Sequence, residues 1–232
     1  MTIILRIRRS EGEGSPARDA DYALDVEPTT SILDALLRVK DQQDGTLSFR
    51  RSCGHGVCGS DAMLIAGVER LACRTLIRDV ATAEGAVVTV APLAHLPVQR
   101  DLMVDQARFF ERYRAVSPFL IAAAPAGATE RRQMPRERAA YDEATNCILC
   151  GSCWSACPVL DPDPAYVGPA ALVGAARFVF DSRDAGLAPR RSVLDEPHGA
   201  WACENHFSCT RVCPREIKVT KTINALKRAL RP

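Results

Sequence analysis

The sequence predicts an α+β chain, in which a strand-rich amino-terminal unit holds a cysteine loop and a helical domain follows. Three observations predict it. Apolar residues alternate with polar ones in short runs through the amino-terminal part, then recur at helical spacing toward the carboxy terminus. The ten cysteines among 232 residues fall in two groups separated by a long polar stretch. With 47% hydrophobic and 25% charged residues, the chain can bury one large core or two modest ones, and the cysteine grouping favours two. The expected division is residues 1–105, a bridging helix and connector over 106–141, and a helical domain over 142–232.

Thr2 to Arg8 places Ile3, Leu5 and Ile7 on one face, and Tyr22 to Val26 follows across a Glu/Gly/Ser/Pro turn region, so the two are expected to pair. Ser31 suits the N-cap of a helix to Lys40. Ile32, Leu33, Leu36 and Leu37 share its buried face, and Asp34 meets the positive end of its dipole. Further strands are expected at Ala62–Ile65, Leu71–Ile77 and Val87–Ala91, and Pro92 to Pro97 closes the unit. Within Asp101–Val116, the positions Leu102, Val104, Phe109, Phe110 and Tyr113 suggest a bridging helix. Ser117 to Asn146 reads as a connector. It contains the weakly periodic run Ala122–Ala128 and solvent-facing Arg131, Arg132, Arg136 and Arg138. Gly168–Asp181 reads as a helix carrying Leu172, Val173, Ala176, Phe178 and Val179. The last helix, Ile217–Leu230, turns Ile223, Leu226 and Leu230 inward and Lys218, Lys221, Lys227 and Arg228 to its other side.

The cysteines carry the chemistry. Cys53-x4-Cys58-x2-Asp61-x11-Cys73 follows the plant-type 2Fe-2S frame with a carboxylate in third position. Gly54, Gly56 and Gly59 let the backbone wrap closely and aim N–H groups at sulfur. Asp61 is either an iron ligand or a turn and capping residue. Cys147-x2-Cys150-x2-Cys153-x3-Cys157-Pro158 is the bacterial ferredoxin frame, whose fourth cysteine reaches across to a second cluster. Cys203-x5-Cys209-x3-Cys213-Pro214 repeats that frame with His206 in place of its second cysteine. Exchanging fourth ligands puts Cys147, Cys150, Cys153 and Cys213 on one 4Fe-4S cluster. Cys157, Cys203 and Cys209 remain for a 3Fe-4S cluster, or for a 4Fe-4S cluster if His206 supplies the fourth bond.

Composition narrows the alternatives. A net charge of +2 with both signs interspersed gives no reason to invoke nucleic acid. No basic start, apolar core and small-residue cleavage site marks the amino terminus, so a reducing cytosol is expected, where grouped cysteines hold metal more often than disulfides. No stretch of 18 apolar residues occurs, so the chain is not expected to span a membrane. Neither a nucleophile with its base nor a flavin or nucleotide fingerprint is present, which assigns substrate chemistry to a partner. The blander alternative is a structural zinc protein, because Cys-x2-Cys pairs are also zinc frames.

Four groups of residues closely resemble the iron-sulfur subunit of succinate dehydrogenase and fumarate reductase over nearly the whole chain. They are Arg50, Arg51, Ser52, Cys53, Cys58, Gly59, Ser60 and Asp61; Pro92-Leu93 through Leu96-Pro97 to Arg100-Asp101-Leu102; Cys147-Ile148-Leu149-Cys150; and Gly168-Pro169-Ala170 before Arg177 and Asp181-Ser182-Arg183. The resemblance implies a β-grasp 2Fe-2S ferredoxin domain followed by an all-α helical ferredoxin domain. It implies a flavoprotein partner whose FAD oxidises succinate, electrons passed singly through three clusters of this chain, and membrane anchor subunits that complete a quinone site near the 3Fe-4S cluster. It further implies a peripheral place on the cytoplasmic face of a bacterial plasma membrane. Asp61 is a variant that some bacterial members share.

Two departures from the family pattern bear on the quinone. The stretch Cys157-Pro158-Val159-Leu160-Asp161-Pro162 lacks the tryptophans of ubiquinone-reducing members, and Glu204 and His206 replace a His and an apolar residue in the second run. Menaquinone or a different anchor type is the corresponding expectation, with Pro158, Glu204 and His206 near the quinone. His206 has three readings: a surface residue, a hydrogen-bond donor to cluster or quinone, or an iron ligand. The net reaction can run as fumarate reduction, and a diffusible multi-cluster carrier is the rival from another class.

Overall fold

The computed structural model describes residues 1–122 and 130–231. In chain order the strands are β1 Thr2–Arg9, β2 Arg18–Asp25, β3 Ala62–Ile65, β4 Val68–Leu71, β5 Ala86–Ala91, β6 Val98–Arg100 and β7 Met103–Val104. The helices are α1 Ile32–Gln42, α2 Ala107–Ala115, α3 Pro135–Ala139, α4 Ser152–Ser155, α5 Pro169–Val179, α6 Leu187–Leu194, α7 Ser208–Arg211 and α8 Val219–Leu230. Contacts gather into two units. One comprises Met1–Gln106 with Ile148–Ser155, and the other Ala107–Cys147 with Ala156–Pro232. The run Ala122–Ala128 lies, beyond Ala122, outside the described residues.

In the first unit the alternating residues form a mixed five-stranded sheet of order β2-β1-β5-β3-β4. β1 pairs antiparallel with β2, Ile3 opposite Leu24 and Leu5 opposite Tyr22, and parallel with β5, Ile3 opposite Ala86 and Leu5 opposite Val88. Ile3, Leu5 and Ile7 are fully buried and meet Ile32, Ala35, Leu36 and Val39 of α1. Each isoleucine, leucine or valine among them contributes roughly 1.5–3 kcal/mol by leaving water. Ser31 caps α1 as expected, its Oγ accepting the Asp34 amide at 3.0 Å. A helix laid on a mixed sheet is the β-grasp arrangement, and the chain is α+β as the sequence predicts.

Three expectations change in or just after this unit. β2 runs Arg18–Asp25, beginning before the expected Tyr22, because all of Arg9 to Thr2 pairs back along it. The fourth strand is Val68–Leu71, not Leu71–Ile77. Ala66 and Gly67 both have positive φ, 50° and 77°, and turn β3 directly into β4. The bridging helix begins only at Ala107, because Asp101, at φ 48°, closes the hairpin of β6 and β7. Its carboxylate is held there by Arg9 Nε at 2.8 Å and by the amides of Ser10 and Ser48 at 3.1 and 2.9 Å.

The second unit is helical. Inside the expected connector, Pro135 opens α3, where its missing N–H costs nothing. α5 packs on α8, with Leu172, Val173 and Ala176 of the one and Ile223 and Leu226 of the other buried. Gly174 brings α5 against α2, since a Cβ there would lie 2.6 Å from Tyr113 Cε2. Two buried ion networks complete the unit. Asp181 accepts from Arg177 and Arg183 at 2.8 Å, and Arg190 pairs with Asp184 at 2.6 Å with both side chains almost wholly buried. Arg131, Arg132, Arg136 and Arg138 are exposed, as expected.

Candidate iron-sulfur centres

The loop after α1 gathers the first set of candidate ligands within the first unit. Cys53 Sγ accepts the amides of His55 and Cys58 at 3.3 and 3.4 Å. Backbone N–H groups from His55, Val57 and Cys58 pull its thiol down to about 6, so the loop is built to hold a thiolate. Cys58 Sγ lies 3.2 Å from Ser60 Oγ. Burial and the neighbouring Asp61 push the Cys73 thiol up to about 12.

Asp61 itself is 2% exposed. Its Oδ2 accepts the Cys73 amide at 2.6 Å, while Oδ1 is buried with no hydrogen-bond partner. The capping role is therefore present on one oxygen, and the other is left over. A buried carboxylate oxygen without a donor is costly unless a cation meets it, and it sits in the third position of a cysteine frame. This donor set fits the cationic core of a 2Fe-2S cluster.

The next run is divided between the units. Ile148–Ser155, with Cys150 and Cys153, belongs to the first; Cys147, Cys157 and Cys213 belong to the second. In the first unit Leu149 and Gly151 take positive φ, 53° and 84°, and fold the run back into α4. Ser155 Oγ donates to Glu69 at 2.8 Å and accepts the Ala94 amide at 2.8 Å, and Trp154 Nε1 donates to the His95 carbonyl at 3.2 Å. Trp154 is 1% exposed, so it shields this run as a core residue. Gly59 lies beneath Cys150, since a Cβ there would sit 2.7 Å from Cys150 Cβ and 2.9 Å from its Cα.

Three other cysteines line one partly open pocket in the second unit. Cys157, Cys203 and Cys209 share it with Pro158, Glu204 and His206. Burial pushes the Cys157 thiol up to about 11 and raises Cys209, the Cys203 sulfur adding to both. Thiolates that repel in such a pocket are relieved by iron, so this donor set too fits a cluster. His206 is exposed, with Nε2 3.0 Å from Glu204 Oε2. Among the described residues, no three His, Cys, Asp or Glu side chains converge tightly enough to enclose one metal ion.

Sequence reasoning missed several neighbours of these sulfurs. Lys227 is not on a solvated face, since its Nζ donates to the Cys203 carbonyl at 2.6 Å. Thr220 Oγ1 lies 3.5 Å from Cys209 Sγ and 3.1 Å from Thr210 Oγ1. Ser152 Oγ lies 3.4 Å from Cys150 Sγ. Thr220 was legible in principle, because Thr220, Ile223 and Lys227 share one face of α8 at helical spacing and Ile223 is an inward position.

Comparison with known proteins agrees along nearly the whole chain. A family described as a 2Fe-2S iron-sulfur cluster binding domain matches residues 4–111, and one described as a 4Fe-4S dicluster domain matches residues 143–217. The chain is 40% identical over 235 residues to the fumarate reductase iron-sulfur subunit of Mycobacterium tuberculosis (strain CDC 1551 / Oshkosh), covering 97% of this chain and 94% of that one. It is 37% identical over 217 residues to the succinate dehydrogenase iron-sulfur subunit of Paracoccus denitrificans, covering 92% and 82%. A chain of the solved Mycobacterium smegmatis Sdh1 complex in the apo form matches with a TM-score of 0.86 at 28% identity, covering 98% of this chain and 95% of that one.

Proposed function

The chain belongs to the family of iron-sulfur subunits of succinate dehydrogenase and fumarate reductase, and from that premise we propose that it passes electrons singly from the flavin of a partner subunit, through three clusters, to a membrane quinone. As a member it is an electron-transfer subunit carrying 2Fe-2S and 4Fe-4S clusters. In our reading Cys53, Cys58, Asp61 and Cys73 hold the 2Fe-2S cluster, and Cys147, Cys150, Cys153 and Cys213 the 4Fe-4S cluster. Cys157, Cys203 and Cys209 hold a 3Fe-4S cluster. The domain division proposed is residues 1–105, 106–141 and 142–232.

Bound clusters supply one-electron steps that divide a two-electron oxidation. The residues of the chain set the conditions. Backbone amides aimed at Cys53 stabilise negative charge on its sulfur, Lys227 places a cation beside the Cys203 peptide, and Thr220 offers a hydroxyl to Cys209. Pro158, Glu204 and His206 border the pocket of Cys157, Cys203 and Cys209 and are the proposed quinone neighbours. No helix among the described residues is long and apolar enough to cross a membrane. A flavoprotein partner, membrane anchor subunits and a peripheral place on the cytoplasmic face of a bacterial plasma membrane complete the proposal, with menaquinone as the preferred quinone.

The observation that carries this reading is the meeting of Cys157, Cys203 and Cys209, from separate stretches of sequence, in one pocket. Low-temperature electron paramagnetic resonance on the isolated complex tests it. An oxidised 3Fe signal that vanishes on adding succinate, as a reduced 2Fe-2S signal grows, is expected. Clusters that succinate leaves oxidised would instead favour a diffusible carrier. Comparing succinate oxidation with fumarate reduction by the same complex fixes the direction.

A further inference from the structure

Gly59 follows Cys58 directly in the chain, and its Cα faces Cys150 so closely that a Cβ would come within 2.7 Å of Cys150 Cβ, 2.9 Å of its Cα and 3.2 Å of the Ile148 carbonyl oxygen. Real Cβ atoms do not approach neighbours at 2.7 Å, so the space belongs to glycine alone. The contact is between backbone and a short side chain, both within the first unit, and neither can swing aside. Four ties fix it from behind: Ser155 to Glu69 and to the Ala94 amide, Trp154 to the His95 carbonyl, and Leu93 against Gly151.

We propose that Gly59 is the electron-transfer junction between the first cluster loop and the run that carries Cys150. The inference rests on the ligand assignment above, in which Cys58 and Cys150 belong to different clusters. Electron tunnelling weakens exponentially with the gap it crosses, and covalent paths carry it better than space. From Cys58 the path is two covalently linked residues, Cys58 and Gly59, then one van der Waals step to Cys150. One electron passes from the reduced centre of the first loop to the oxidised centre of the second. No bond forms or breaks and no proton moves at Gly59. The reductant is the reduced flavin of the partner and the final oxidant a quinone. Gly59 is thus a positioning residue, and a side chain there widens the gap.

Backbone strain and gap can be separated. Gly67, in the β3–β4 turn and outside the cysteine loop, has φ 77°, close to the 71° of Gly59, yet a Cβ on Gly67 meets nothing within 4 Å. Gly67→Ala therefore adds left-handed strain alone, and Gly59→Ala adds similar strain plus the clash. In the cluster-loaded complex, freeze-quench electron paramagnetic resonance after mixing with succinate reads each cluster as it is reduced. Iron content and the signal of each cluster are measured first. With clusters retained, Gly59→Ala should delay reduction beyond the first centre while Gly67→Ala matches the unsubstituted complex. Equal rates in both variants overturn the proposal. If Gly59→Ala does not assemble, the unsubstituted complex still decides, through the magnetic coupling between the first centre and its neighbour. Strong splitting of the 2Fe-2S signal supports the junction, and an unsplit signal with both centres reduced overturns it. Absence of either signal from the loaded, unsubstituted complex would instead sink the ligand assignment itself.

Discussion

Asp61 and Cys73 are joined through the carboxylate of the first and the amide of the second, at 2.6 Å, and the other carboxylate oxygen is buried without a donor. A residue with only a capping role would have no reason to bury that second oxygen. Asp61→Cys is expected to retain the 2Fe-2S cluster with a shifted reduction potential. Asp61→Asn keeps an acceptor for the Cys73 amide but loses the charge, and should hold less iron. Asp61→Ala also leaves that amide unpaired, at about 1–3 kcal/mol of stability. Redox titration and iron analysis read these outcomes; an unchanged potential in Asp61→Cys would remove Asp61 from the ligand set.

Arg190 neutralises Asp184 at 2.6 Å and donates to the carbonyls of Ser117 and Phe119 at 3.1 and 2.7 Å. Arg190→Met strands a buried carboxylate and these acceptors together. The expected loss is about 3–5 kcal/mol, seen as a lower thermal midpoint. A midpoint indistinguishable from the parent's would mean the pair contributes little.

Stability should fall in acid. Arg183 and Arg177 hold the Asp181 carboxyl below the usual range against the upward pull of burial. Burial likewise raises Asp184, but hydrogen bonds from Arg190 and from the Ile121 and Gly186 amides outweigh it and leave it low. With folded values below unfolded ones, the folded chain binds fewer protons, so this stability is present above the unfolded carboxylate value of about 3.9 and drains away as pH falls below it. Thermal midpoints measured from neutral to acid pH should drop most at the acid end, and Asp181→Asn should flatten that slope.

Gly174 meets the Tyr113 ring, a Cβ lying 2.6 Å from Cε2. Gly174→Ala should cost about 1–3 kcal/mol by overpacking, despite alanine's better helix propensity. A gain in stability, read by denaturant unfolding, would show that Tyr113 moves aside freely.

Lys227 Nζ donates to the Cys203 carbonyl. In the assignment proposed above, in which Cys203 holds a cluster, a cation there favours its reduced, more negative form, so Lys227→Met should lower its reduction potential without removing its iron. An unaltered potential would mean that solvent screens the charge.

The sheet, the capped helix α1 and the cysteine frames were legible because each rests on local pattern. Ser31 announces α1, and the alternation of Ile3, Leu5 and Ile7 announces β1. The β3–β4 turn was not, since Ala66-Gly67 is a weaker signal than Asn-Gly, and Asp101 broke an apolar pattern that read as helix. Lys227 read as a surface residue because its partner is a carbonyl, which no side-chain pattern reveals. The nearness of Gly59 to Cys150 lies equally beyond periodicity, for it joins stretches far apart in sequence.

The membership of Ile148–Ser155 in the first unit has a consequence for biosynthesis. Residues 107–147 leave the ribosome between the body of that unit and the segment that completes it. At roughly 5–20 residues per second, translation leaves the nascent first unit incomplete for about 2–8 seconds. Throughout that interval Gly59 lacks the Cys150 backbone that packs on it in the finished chain.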